Sequence, residues 1–365
     1  MIPLLAYITL LFLGLRMLVV CINFLFHFSR RNYPLSEDIK LSVLIPARNE
    51  EKNIGRILDC LLKQEYMKLE ILVCDDHSTD DTPGILEDYA GRYEEISWFR
   101  GEALKAGWTG KNFACHQLSA RASGKVLLFV DADMELYGDI LTEMLGYLMK
   151  RRLMLLSIFP RQLLLSPGER VTVPIMNWIL LSLLPLPMVL FSPRASFSAA
   201  NGQFIMFRAS VYHKLQPHSA VRSNPVEDIA IMRLYKKERY KCATLLGDRR
   251  VQCRMYHGYG DAISGFSKNV LQFFSGSLIW AFFYVIFTTF GLLFIALWSL
   301  PVFWIALAVA VLNRVLISLA SRQKVFMNLL LVPLQHISFL QMVIRALRQG
   351  SKGSLEWKGR KIKLK

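Results

Sequence analysis

From Asn269 to Asn313 the chain carries no Lys, Arg, Asp or Glu. A helix needs roughly 20 predominantly apolar residues to cross a bilayer, and this run has room for two, with Pro301 in "WSLPVFW" placed to start the second. Residues 2–26 repeat the pattern with one charge, Arg16, and "HFSRRNY" comes after them rather than an A-x-A-like cleavage site. They read as a retained anchor over 1–28, not as a removed signal peptide. Arg30 and Arg31 lie beyond its end and put the next segment of chain in the cytoplasm by the positive-inside rule. The expectation is a multi-pass protein of the cell membrane with C-terminal transmembrane helices over 273–320.

Two further apolar segments read differently. Residues 171–193 contain four prolines, and one crossing there would put the chain on opposite sides before and after it. We expect a membrane-contacting insertion, with a buried hydrophobic helix pair as the alternative. Residues 325–344 include Pro333, Gln335, His336 and Gln341, which leaves an interfacial, re-entrant or spanning helix. The tail from Arg345 to Lys365 holds eight Lys or Arg against one Glu and suits an anionic, cytosolic lipid surface. The formal charge of +16 would also suit nucleic acid, but the basic residues cluster beside apolar segments. No zinc-finger, RRM or helix-turn-helix pattern occurs either, so nucleic acid is not an expected partner. Six cysteines without a C-x-x-C read as buried, reduced thiols.

The soluble segment, residues 36–270, alternates strand-like and helix-like runs. "KLSVLIPARNE", "LEILVCDDHSTDDT" and "KVLLFVDAD" are short β-rich stretches that end in polar residues, and "EKNIGRILDCLLKQ" spaces Ile54, Ile57, Leu58, Leu61 and Leu62 as one helix face. The fold class is therefore α/β, a mostly parallel, Rossmann-like sheet covered by helices. Such sheets bind ligands beyond the carboxyl ends of their strands, where Asp75, Asp76, Asp131 and Asp133 fall. Carboxylates held close together repel unless a cation separates them, and oxygen ligands suit Mg²⁺ or Mn²⁺. Those ions usually bridge to substrate phosphates, so a nucleotide diphosphate is the implied ligand. The competing reading is that Asp133 only caps a following helix, and that "DDHSTDDT" is only a turn with an N-cap.

Taken in order, "LSVLIPARNEEKNIGRILDCL", "ILVCDDHSTDDT", "VLLFVDAD", "NGQFIMFR" and "NPVEDIAI" resemble the family 2 glycosyltransferases of GT-A fold, over residues 40–258. "GWTGKNFACHQLSARASGKVLLFVDADM", "RMYHGYGDAISGFSKN" and "LEWKGRKIKL" resemble a membrane-anchored subgroup that acts on carotenoids and hopanoids. The resemblance implies inverting, metal-dependent transfer of a sugar from a nucleotide-diphosphate donor, a UDP-sugar in the expected form, to a membrane lipid of carotenoid or terpenoid type. By position, Pro46, Ala47 and Glu50 border the nucleoside, and Asp75 and Asp76 hold base and ribose. Asp131 and Asp133 serve the metal and diphosphate, and Asn201, Gly202 and Gln203 face sugar and acceptor. Glu227 and Asp228 supply the Glu-Asp pair whose Asp is the base. Arg254 occupies the place of the Q-x-x-R-W arginine, although Gln252 is only two residues before it and no Trp comes after. That departure argues against processive polymer synthesis. Lys111 is expected in a flexible loop, either meeting phosphate or simply solvated. Trp357, Gly359 and Arg360 either return the tail to the site or lie on lipid. Polyprenyl phosphate or another envelope acceptor, and a catalytically silent scaffold, are the rival readings.

Overall fold

The computed structural model describes residues 1–27, 33, 39–64, 66, 68–350, 354–357 and 360–363. Arg30, Arg31 and Gly359 lie outside the described residues. The chain divides into two units, Arg30–Arg161 with Leu186–Arg254, and Met1–Ser29 with Gln162–Pro185 and Met255–Lys365.

The first unit is built on strands β1 (Leu41–Ala47), β2 (Leu69–Asp75), β3 (Ile96–Arg100), β4 (Val126–Val130), β5 (Met134–Leu136), β6 (Leu155–Phe159), β7 (Arg161–Gln162), β8 (Phe204–Arg208), β9 (Cys242–Leu246) and β10 (Val251–Cys253). Seven of them form one sheet in the order β3-β2-β1-β4-β8-β6-β9. β1 pairs parallel with β2 and β4, β2 with β3, and β6 with β9, while β8 runs antiparallel to both β4 and β6. The sheet is thus mostly parallel, as the unbroken apolar runs require of strands covered on both faces. Leu41, Val43, Leu44 and Ile45 of β1 have no exposed surface, and each such side chain contributes about 1.5–3 kcal/mol by its burial. The helix Ile54–Leu62 buries Ile54, Ile57, Leu58 and Leu61, the face set by their spacing. β4 begins beside a forced glycine: a Cβ on Gly124 would lie 2.6 Å from Ser42 Oγ and 2.7 Å from Ser42 N.

The antiparallel β8 matters for function. It pairs Phe204 with Val130, so the residues just before β8 arrive beside the residues just after β4. β5 and β10 form a small antiparallel pair, matching Met134 with Cys253.

The second unit buries a set of polar side chains among apolar ones and turns large apolar side chains outward. On the helix Ile2–His27, Leu4, Leu11, Leu18 and Leu25 face outward at 58–69% exposure, while Thr9, Arg16 and Asn23 are buried. Both sets repeat every seven residues, so the helix turns its polar side chains inward, beside the buried Ala6, Leu13 and Val20. That is the pattern lipid demands, since polar side chains there must face the bundle interior. Ile2–Phe26 and Leu300–Ala320 are each long and apolar enough to cross a membrane.

Leu300–Ala320 is the helix expected to start at Pro301, and the part of the uncharged run before it, where the other span was expected, is broken. It forms Leu278–Thr289 and Gly291–Trp298, too short to cross singly. The preceding helical stretch Tyr259–Phe274 meets Leu278–Thr289 at 102°, with Ser275 and Gly276 in positive-φ conformations at the bend. The insertion 171–193 forms Pro167–Thr172, Pro174–Leu183 and Pro187–Phe191. Its first two helices belong to this unit, where Asn23 Nδ2 donates to the carbonyls of Leu181 (2.8 Å) and Leu184 (2.9 Å).

The soluble unit expected to extend to residue 270 ends at Arg254. Beyond it, Tyr259–Asn269 packs against the helix of Gly168, whose Cβ position would lie 2.5 Å from Tyr259 N. Residues 325–344 fall in Val325–Leu330 and Val332–Gly350. The tail forms a two-stranded pair, Ser354–Trp357 with Arg360–Lys363.

Candidate active site

The carboxyl edge of the main sheet gathers most of the residues singled out in the sequence. Register sets Ala47 beside Asp75, and Asp75 beside Arg100. Two loops then fasten to one another. Asn49 N–H donates to Ser78 Oγ (2.9 Å), Thr79 N–H to Asn49 Oδ1 (2.8 Å) and Glu50 N–H to Thr82 Oγ1 (2.8 Å). Asp76 N–H donates to Ala47 O at 2.8 Å, and Arg48 donates to the carbonyls of Asp76 and His77. Pro46, Ala47, Glu50, Asp75 and Asp76 therefore form one rim. Asp75 is fully buried, and its Oδ1 accepts from Ser78 N–H at 3.1 Å. Its Oδ2 has no hydrogen-bond donor, and Arg100 Nε stands 3.8 Å away. The turn reading holds for Asp80, which accepts from Thr82 N–H and Oγ1 at the start of the helix Thr82–Arg92, whereas Asp81 at the N-cap position makes no capping bond with its side chain.

Next to this rim, the β4–β8 pairing brings Asp131 to Gln203, whose carbonyl accepts from Asp131 N–H at 3.2 Å. Lys111 is not on a flexible loop. It lies in the first turn of the helix Gly110–Arg121 with its Nζ 2.8 Å from Asp131 Oδ1 and 3.2 Å from Glu227 Oε1. Burial alone would lower its proton affinity, but Asp131 and Glu227 outweigh that and hold the ammonium well above its ordinary range. Asn112, one residue on and fully buried, sets this meeting. Its Nδ2 donates to the carbonyls of Val221, Arg222 and Asn224 at 3.1–3.2 Å. Those bonds fix the loop that leads to Glu227 and Asp228.

Asp133 has a different environment. Gln203 Nε2 is 3.2 and 3.3 Å from its two oxygens and 2.7 Å from Cys253 Sγ. Burial pushes the Asp133 carboxyl up to about 7, and the charges of Asp131 and Glu50 add to that. Arg254 comes directly after β10 at the end where Cys253 pairs with Met134, and so leaves the strand on the Asp133 side. Gln252 turns elsewhere, taking Arg161 Nη1 at 3.0 Å.

Asp228 stands in the first turn of the helix Glu227–Lys237. Its Oδ2 accepts from Gly202 N–H (3.0 Å) and its Oδ1 from Ile229 N–H (2.7 Å). Burial, and then the neighbouring Glu227, raise its carboxyl to about 7. Asn201 is held by Ser157, whose Oγ accepts from Asn201 N–H at 2.8 Å. The edge thus presents a buried carboxylate oxygen lacking a donor, one neutralised carboxylate and two whose protonation falls near neutrality. Such an edge can accept hydroxyl or amide donors, attract a cation and take up a proton.

Sequence reasoning missed Asn112, Ser157 and Cys253. Asn112 had a signal, because a polar side chain inside the first turn of "TGKNFACHQL" has to find partners once that helix is packed. Ser157 and Cys253 lie within apolar runs and carried none.

The fold is GT-A-like. Residues 42–215, just under half of the chain, match Glycosyl transferase family 2, and together with the relatives below this makes the chain a glycosyltransferase. It is 27% identical over 251 residues to a 4,4'-diaponeurosporenoate glycosyltransferase of Staphylococcus haemolyticus, covering 66% of this chain and 65% of that one. A protein of the same name from Staphylococcus aureus is 25% identical over 89% of this chain and 88% of its own. Among solved structures, the mannosyltransferase PcManGT from Pyrobaculum calidifontis, in complex with GDP-Man and Mn2+, covers 96% of this chain and 99% of its own. Its TM-score is 0.60 at 15% identity.

Proposed function

We propose that the chain transfers a sugar from a nucleotide-diphosphate sugar, in the expected form a UDP-sugar, to a membrane lipid of carotenoid or terpenoid type, by a single inverting displacement. The observation that carries this reading is Asp228: a carboxylate held by Gly202 N–H, with its proton affinity raised to about 7. A general base works best when its pKa lies near the operating pH. In this reading Asp228 takes the proton of the acceptor hydroxyl as that oxygen attacks the anomeric carbon, and one displacement inverts the configuration. The open Oδ2 of Asp75 receives a donor from base or ribose. Lys111 holds Asp131 in place through their ion pair.

The residues also fit a divalent cation. Asp133 is crowded by the charges of Asp131 and Glu50, and no three His, Cys, Asp or Glu among the described residues are grouped to hold a metal by themselves. A site of that kind suits Mg²⁺ or Mn²⁺, which complete their shells with water and substrate phosphate. Asp133, with Asp131, would hold the ion, which when bound neutralises the leaving diphosphate. The lipid acceptor agrees with the names of the staphylococcal relatives and with two helices able to cross a membrane.

The test is mass spectrometry of lipids from cells with and without the chain. A hexose-sized loss from a lipid found only in the producing cells is expected. A glycolipid profile that does not change when the donor pool is intact would refute the acceptor class.

A further inference from the structure

We propose that the helical unit binds the acidic head group of a lipid, a carboxylate or a phosphate, between Arg16 and Arg314. The two helices able to cross a membrane, Ile2–Phe26 and Leu300–Ala320, contain one charged residue each, and these are the two arginines. Arg16 is buried: its Nε donates to Ser182 Oγ at 3.2 Å, and its guanidinium lies 5.5 Å from the Phe12 ring centroid and 5.2 Å from that of Tyr284. Arg314 lies 3.5 Å over the Trp178 ring, with Nη1 donating to Gln335 Oε1 (3.1 Å) and Nη2 to His336 Nε2 (3.0 Å). Each of these partners is neutral.

The two cations line one place. Trp178 and Ser182 are a turn apart on the helix Pro174–Leu183, a rise of about 6 Å, and Tyr284 OH lies 3.1 Å from Ser182 Oγ. Trp178 adds a buried indole N–H that has no acceptor. Among the described residues donors are therefore in excess, and neither arginine has an acidic partner.

Among the described side chains of the unit, none supplies the anion. Its acidic residues are Glu169, Asp261 and Glu356. Glu169 is occupied by the N–H groups of Leu165 and Ser166, Asp261 accepts from His257 N–H, and Glu356 lies in the C-terminal strand pair. Charged side chains at membrane depth are costly unless paired. A counter-ion that reaches membrane depth from outside the protein is one carried by a lipid. Guanidinium forks suit carboxylate and phosphate oxygens.

The inference concerns binding and stands or falls apart from sugar transfer. Native mass spectrometry of the full chain, released from phosphatidylcholine nanodiscs, would titrate three probes: a long-chain fatty acid, the matching fatty alcohol, and phosphatidylglycerol with the same chains. The fatty acid is expected to bind at least about tenfold more tightly than the alcohol, the factor one charge-assisted hydrogen bond supplies. Arg16→Gln and Arg314→Gln are each expected to erase most of that preference. Stronger retention of phosphatidylglycerol than of the fatty acid would make the source bulk anionic lipid; the reverse order would make it an acidic acceptor. Equal binding of acid and alcohol by the unaltered chain overturns the proposal without any variant. Survival of the preference in folded Arg16→Gln/Arg314→Gln overturns it as well.

Discussion

Asp228 and Asp133 have similarly raised proton affinities for different reasons, and the reasons separate their tests. The Asp228 carboxyl, raised by burial and Glu227 to about 7, becomes a competent base as pH rises through that value. Turnover on a hydroxylated lipid should climb over the same range. Asp228→Asn is expected to lower that turnover by about 100-fold or more and to abolish the climb. A carboxylated lipid would have a pKa near the ~4 of side-chain carboxyls and arrive ionised, so its loss should be smaller. Equal, modest losses on both would leave Asp228 as a positioning group. The same shift bears on stability. Between its ordinary 3.8 and about 7 the folded chain binds more protons at Asp228 than the unfolded chain does, so stability falls as pH rises across that window. Unfolding midpoints across the window should decline less steeply in Asp228→Asn. Asp133 has the charges of Asp131 and Glu50 around it, with Gln203, Cys253 and the more distant charge of Lys111 in support. Asp133→Asn should remove donor binding in Mg²⁺ or Mn²⁺ while the chain stays folded, and chelation should mimic it. Isothermal titration with the nucleotide-sugar checks this, and unchanged affinity in both arms would rule out the cation at Asp133.

At the scale of elements, the site depends on how one helix start is tied to one loop. Asn112 bonds three carbonyls of the 221–224 segment, so Asn112→Ala would strand buried acceptors at a cost of about 1–3 kcal/mol. It should also loosen Glu227 from Lys111. The expected outcome is a lower denaturation midpoint with kcat reduced more than KM is raised, measured on the detergent-solubilised chain; a fall in stability with normal kcat would show that the tie is structural only. Much of the edge was legible beforehand because it depends on local pattern. A buried parallel strand ends where its apolar run ends, so Asp75 and Asp131 had to emerge together. What the pattern could not show was pairing across distant segments. Lys111 looked free in sequence, yet the β4–β8 register and the Asn112 bonds deliver Asp131 and Glu227 to it. Asp131 and Asp133 stand on either side of Ala132 in sequence, but only Asp131 is paired directly with a lysine. The seven-residue polar stripe of Thr9, Arg16 and Asn23 was likewise in plain view, but its meaning depends on which face packs inward.

At the scale of the whole molecule the open quantity is the number of crossings between the catalytic segment and the tail. Leu300–Ala320 is long and apolar enough to cross, and the bent stretch Tyr259–Phe274 with Leu278–Thr289 is either a broken span or a re-entrant loop. One crossing puts residue 365 on the side opposite to residue 92; two crossings put them on the same side. Charge decides between these. The tail carries eight basic residues against one acid, and short segments so rich in Lys and Arg next to a span stay on the cytoplasmic side. The same rule applied to Arg30 and Arg31 puts the catalytic unit there in the expected topology. The expected topology therefore has two crossings after the catalytic unit, with the bent stretch passing through the bilayer. A reporter fused after Lys365 and one inserted near Arg92 should both read cytoplasmic. If the Lys365 reporter alone reads external, Tyr259–Thr289 is re-entrant and the basic tail cannot approach the sheet edge where Asp133 and Asp228 stand.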